Sequence, residues 1–129
     1  MPTIRKNSQK CSVYLIDDNP TFLRTIIHYL SREKRITIAG SALSAETAIL
    51  EVGALNPDVI LLDLAMPGMN GLEALPHLHE VAGQTKIIML SLFDSENDRR
   101  AALTAGAHDF IFKAEILTEL MPAIWKAVD

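Results

Sequence analysis

Asp58-Val59-Ile60-Leu61-Leu62-Asp63 is a short aliphatic run closed by aspartate at both ends, and the turn-forming stretch Leu64-Ala65-Met66-Pro67-Gly68 follows at once. A run this short and continuously apolar, stopped by Pro-Gly, reads as a strand buried on both faces, as in a parallel sheet. It leaves Asp63 at the strand's C-terminal tip. Upstream, Ser12-Val13-Tyr14-Leu15-Ile16 has the same character and ends in the acidic pair Asp17-Asp18. Open α/β sheets bind ligands outside the carboxyl ends of their strands. Three carboxylates gathered there make a site for a hard divalent cation, and one of them is available as a nucleophile.

The same rhythm continues in both directions. Strands are expected at 11–16, 35–39, 58–62, 86–90 and 108–112, and helices at 20–31, 44–55, 71–82, 96–106 and 117–128. Successive βα units imply a parallel sheet with helices on both faces and right-handed crossovers. Local signals agree. Asn19 suits an N-cap with Pro20 at the first helical position. Phe22, Leu23, Ile26, Ile27 and Leu30 form an apolar stripe at helical spacing. Asn56-Pro57 ends the second helix, Ser95 caps the fourth with Asp98 in the capping-box position, and Gly106 suits its C-terminal end. Pro76 and Pro122 fall inside helices past the first turn, where each removes a backbone donor and favours a kink.

At 129 residues the chain has the size of one domain. Hydrophobic residues make up 49 % and charged residues 22 %, enough to bury a core without disulfides. The single cysteine, Cys11, has no internal partner and suits a reducing cytosol, so a cytoplasmic location is expected. The formal charge of −4 argues against a nucleic-acid grip by this segment, and no apolar run has the length of a membrane span. Residues 1–10 are basic, lack the apolar core of a signal peptide and read as a flexible leader to a domain over 11–129. His28, His77, His79 and His108 show no metal-ligand spacing and read as surface or packing residues.

Asp17, Asp18, Asp63, Ser91 and Lys113 all fall at strand ends, on one rim of the sheet. Singly each has a plain alternative: helix capping for the first two, a turn for Ser91, a solvated charge for Lys113. Together they suit phosphoryl chemistry. A cation relieves the repulsion of clustered carboxylates, and metal, lysine and hydroxyl stabilise the charge on a transferring phosphoryl group.

The set Asp17-Asp18, Asp63-Leu-Ala-Met-Pro-Gly-Met-Asn-Gly71, Ser91 and Lys113, in this order and at these spacings, resembles the receiver domain of two-component response regulators. The resemblance covers Cys11 to Val128. It implies a doubly wound, flavodoxin-like (βα)5 fold with strand order 2-1-3-4-5. It implies that Asp63 accepts a phosphoryl group from a histidine kinase or a phosphotransfer protein. Asp18, Asp63 and the carbonyl of Ala65 would bind Mg2+ directly, and Asp17 would hold a metal-bound water. Ser91 would bond a phosphoryl oxygen, and Lys113 would pair with the phosphate. Phe110 matches an aromatic that turns inward as Ser91 moves; plain core packing is its alternative. The switched face, formed by helix four, strand five and helix five, would engage an output domain, a partner or a second copy. Such a domain is a phosphoacceptor switch, not an enzyme acting on other substrates.

Two departures stand out. Leu92 replaces the small residue usual after the serine, which predicts shading of the phosphoryl site, slower phosphorylation by small donors and a longer-lived phospho-form. Ala114 replaces a proline usual after the lysine, so a trans peptide is expected. Lys113-Ala114 and Ser91 are similar to the NarL/LuxR-type branch, whose members carry a DNA-binding helix-turn-helix domain C-terminal to the receiver. The chain therefore reads either as a stand-alone receiver or, the favoured reading, as a receiver belonging to a longer transcription regulator. One enzyme alternative is a phosphatase of the haloacid-dehalogenase type, since Asp17-Asp-Asn-Pro-Thr21 loosely resembles its motif, but Asn19 stands where that motif has its second acid. The other alternative is a receiver-like binding module that takes no phosphate.

Overall fold

The computed structural model describes residues 10–129; the expected leader lies outside them except for Lys10. The chain order is β1 (Cys11–Ile16), α1 (Pro20–Ser31), β2 (Ile36–Ala42), α2 (Ala45–Leu55), β3 (Val59–Asp63), α3 (Gly71–Val81), β4 (Lys86–Ser91), α4 (Glu96–Thr104), β5 (Asp109–Phe112), a single 3-10 turn (Lys113–Glu115) and α5 (Ile116–Val128). The strands form one sheet in the order β2-β1-β3-β4-β5, with every pairing parallel. The doubly wound (βα)5 arrangement expected from the sequence is therefore present.

Strand side chains alternate between two helical layers. Val13, Leu15, Leu61, Ile88, Leu90 and Ile111 meet Leu23, Ile26 and Leu30 of α1 and Leu120 and Ile124 of α5. Tyr14, Ile16, Ile60, Leu62, Ile87, Met89 and Phe110 meet Val52 of α2, Leu75 and Leu78 of α3 and Ala102 of α4. All five residues of β3 are buried, which is why its sequence shows no alternation.

Differences from the sequence reading lie at element ends. β2 reaches Ala42 rather than stopping at 39. As an edge strand it pairs only with β1 and tolerates the small residues Gly40 and Ser41, and the register slips between Val13 and Tyr14. A Cβ on Gly40 would lie 3.1 Å from the Tyr14 ring, so the slip sets Tyr14 close under the edge. Helix α4 ends at Thr104, with Ala105 as its cap and Gly106 one residue beyond at φ +109°. Asp63 and Ser91 are the last residues of their strands rather than the first beyond them.

The caps follow the expected chemistry. Asn19 Oδ1 accepts from the Thr21 and Phe22 N–H groups, and Ser95 Oγ accepts from that of Asp98. Asn56 closes α2 in the left-handed region. A full capping box, Asn70 with Glu73, opens α3 and was not signalled in the sequence reading. Pro76 and Pro122 both lie inside their helices, and no peptide bond among the described residues is cis, Ala114 included.

Candidate phosphoryl and metal site

Asp63 owes its position to crowding beneath it. Its strand pairs with β1 through Leu62 and Ile16 and with β4 through Asp63 and Leu90. The chain then turns into α3 with Gly71 packed against the strand end. A Cβ there would lie 2.6 Å from the Asp63 carbonyl oxygen and 2.9 Å from Leu64 Cα, so only glycine fits. Asp17 and Asp18 leave β1 one strand away. Asp17 Oδ1 accepts from the Asn19 N–H at 2.9 Å, which fixes its side chain in the loop.

Oxygens of Asp17, Asp18 and Asp63 all lie within 4.8 Å of one another. Asp17 and Asp63 are buried; Asp18 is exposed. Lys113, at the start of the 3-10 turn after β5, reaches back across the rim. Its Nζ lies 2.7 Å from Asp17 Oδ2 and 3.2 Å from Asp63 Oδ1, with the lysine side chain 10 % exposed. One ammonium thus bridges two of the three carboxylates. Burial, reinforced by the charge of Asp17, pushes the Asp63 carboxyl up to about 6 against the opposing pull of Lys113. A crowded, electron-rich set of hard oxygen donors fits a divalent cation, and no other such cluster occurs among the described residues.

These groups form the floor of a cleft of about 810 Å³. Its rim is apolar: Pro20, Phe22, Ala65, Leu92 and Ala114. Leu92 is 62 % exposed at this mouth, and Phe93 beside it is 73 % exposed. The structure therefore brings Asp17, Asp18, Asp63, Ala65, Leu92 and Lys113 around one space. Ser91 closes β4 beside them, buried, but its hydroxyl is turned into its own loop. It donates to the Phe93 carbonyl at 2.9 Å and accepts from the Phe93 N–H at 3.2 Å. Phe110 is buried in the core layer of α2, α3 and α4, with the Arg99 guanidinium 5.2 Å from its ring centre.

Two side chains stand differently from, or beyond, the sequence reading. Phe22, read only as part of the α1 stripe, also faces Lys113, with Nζ 4.2 Å from the ring centre. Asn19 is consumed by helix capping, so the phosphatase-like motif has no acid/base at that position. The histidines stand away from the cleft. His108 Nδ1 accepts from the Ile87 N–H, and the His79 ring packs where a Cβ on Gly106 would fall.

Residues 13–125 match the profile of the family described as response regulator receiver domain. The chain belongs to that family. Among its relatives, the nitrate/nitrite response regulator protein NarL of Escherichia coli is 36 % identical over 121 residues, 94 % of this chain and 56 % of NarL. The response regulator protein VraR of Staphylococcus epidermidis is 31 % identical over 117 residues, 91 % of this chain and 56 % of VraR. These relatives place the receiver with the NarL/LuxR-type branch, and it spans about half of their length. Among solved structures, the response regulator domain of Thermotoga maritima CheB superposes with a TM-score of 0.85 at 27 % identity, covering 93 % of this receiver and 97 % of that chain. The receiver domain of a NarL from Mycobacterium tuberculosis gives 0.79 at 28 % identity, covering 90 % and 97 %. No helix among the described residues is long and apolar enough to cross a membrane.

Proposed function

We propose that this receiver is a phosphorylation switch in which Asp63 takes a phosphoryl group from the phosphohistidine of a histidine kinase or a phosphotransfer protein. The observation that carries the reading is the pairing of Lys113 with Asp63 inside a three-carboxylate cluster at the open end of the sheet. In the transfer, the nitrogen–phosphorus bond of the donor breaks and a bond forms between phosphorus and an Asp63 oxygen. The imidazole leaves with the electron pair and picks up a proton from water. Asp63 must be ionised to attack, and a carboxyl near 6 is mostly anionic at pH 7.

Asp18, Asp63 and the Ala65 carbonyl are the groups that would hold Mg2+, with Asp17 holding a metal-bound water. The bound cation would offset charge on the carboxylates and on the phosphoryl oxygens. Lys113, already beside Asp63, would turn to the phosphoryl oxygens. The Ser91 hydroxyl would exchange its Phe93 contacts for a phosphoryl oxygen, freeing the loop after β4. That release would alter the face of α4, β5 and α5, with Phe110 beneath it. Phosphate shifts such an equilibrium only through its different interaction with the two states. The output would be transcription, through a DNA-binding domain in a longer regulator or through pairing of two receivers on that face. The domain would catalyse only its own phosphorylation and dephosphorylation.

Intact mass after incubation with Mg2+ and a phosphorylated histidine kinase, or acetyl phosphate, tests this. One added phosphoryl group in the wild type, and none in Asp63→Asn or in EDTA, supports it. An unmodified wild type with both donors identifies a receiver-like binding module instead.

A further inference from the structure

We propose that Phe22 is a positioning residue for Lys113, its ring face keeping the ammonium beside the acceptor carboxylate when a cation and a phosphoryl group take the carboxylate oxygens. The proposal rests on the reading of Asp63 as phosphoacceptor. Lys113 Nζ has two ion-pair partners, Asp17 and Asp63. Both belong to the cluster that a divalent cation would claim. A bound cation therefore competes with the ammonium for those oxygens and repels it. The Phe22 ring is a contact for which the metal does not compete. It offers the negative face of its quadrupole 4.2 Å from Nζ. Such an attraction grows as water is removed, and the Lys113 side chain is 10 % exposed.

Both ends of the contact are held. Phe22 lies in the first turn of α1, its N–H donating to the Asn19 cap at 3.1 Å, and its side chain packs on the core layer of α1 and α5. Lys113 is fixed by the turn that follows β5. The ring also forms part of the rim of the cleft, so it stands where the ammonium must wait between the metal-free and phosphoryl-bound arrangements. A leucine at this position would keep apolar packing and lose the quadrupole. Tyrosine or tryptophan would keep both.

The test compares wild type, Phe22→Leu, Phe22→Tyr and Phe22→Trp. The first readout is the carbon–proton NMR resonance of the Lys113 ε-methylene, which a ring face above it shifts upfield. The shift should be present in the wild type without metal, persist when Mg2+ is added, survive in the tyrosine and tryptophan variants and vanish in Phe22→Leu. The same spectra show whether each variant is folded. The second readout is the rate of phosphoryl transfer from phosphoimidazole at saturating Mg2+. It should fall about tenfold in Phe22→Leu, within the range expected for a desolvated cation–ring contact, and return to within about twofold of wild type in Phe22→Tyr and Phe22→Trp. Wild-type transfer with an equal rate in Phe22→Leu overturns the proposal and leaves the acceptor reading intact. So does a loss that neither aromatic variant restores, which would mark a packing role. A wild type that takes no phosphoryl group from phosphoimidazole or from a phosphorylated histidine kinase removes the acceptor reading and this proposal together.

Discussion

Replacing Asp63 by asparagine should stabilise the metal-free protein, because the fold holds this carboxyl where its charge is unwelcome. The Asp63 side chain is 5 % exposed. Burial and the neighbouring Asp17 raise its carboxyl from 3.8 to about 6 in spite of Lys113. The folded state therefore holds the proton more tightly than the unfolded chain. Stability is full below the unfolded value near 4 and falls as pH rises toward about 6, because the unfolded chain gives up its proton first. A rise of about two units corresponds to roughly 3 kcal/mol lost by pH 7, at 1.36 kcal/mol per unit. Asparagine keeps the shape and never ionises. Asp63→Asn should accordingly gain about 2–3 kcal/mol over wild type at pH 7.5 in EDTA, or roughly 5–10 °C in melting temperature. Urea unfolding at pH 7.5 and pH 4, with and without Mg2+, measures this. The gap should nearly close at pH 4, and Mg2+ should narrow it at pH 7.5 by stabilising the wild type. Equal stability at pH 7.5 in EDTA, or a gap that widens toward pH 4, would refute the reasoning.

Other outcomes follow from the same geometry. Gly71→Ala should lose about 2 kcal/mol or more in urea unfolding, because its Cβ meets the backbone of Asp63 and Leu64 and relief requires moving the end of β3. Lys113→Met leaves Asp17 and Asp63 without their shared cation, so about 3 kcal/mol should be lost at pH 7.5 in EDTA, and Mg2+ should recover most of it. Leu92→Ala opens the mouth of the cleft, and mass spectrometry over time should show faster labelling by acetyl phosphate and faster loss of the label.

The sheet was legible because its central strands are buried on both faces and leave unbroken aliphatic runs, and because Asn19-Pro20, Asn56-Pro57 and Ser95 punctuate the helices with short-range chemistry. The edge strand was read short because Gly40-Ser41-Ala42 carries no strand-like composition; its pairing with β1, through a slipped register, decides its length. The carboxylates, Ser91 and Lys113 were legible as strand-end groups, since parallel topology alone brings all strand tips to one rim. Contacts between elements were not legible. Lys113 and Asp17 are 96 residues apart, and nothing local to Phe22 distinguishes a ring facing that lysine from one filling the α1 stripe. The direction of the Ser91 hydroxyl was equally hidden, because a rotation about one side-chain bond decides whether it faces the cleft or its own loop.

The most direct measurement is the identity of the modified residue. Treating the phosphorylated protein with borohydride reduces an aspartyl phosphate to homoserine, which peptide mass spectrometry places in the sequence. Homoserine at position 63, in the wild type only and only with Mg2+ present, is the result expected here. Homoserine at position 17 or 18, or phosphate recovered on another side chain, would contradict the assignment of Asp63 as the acceptor.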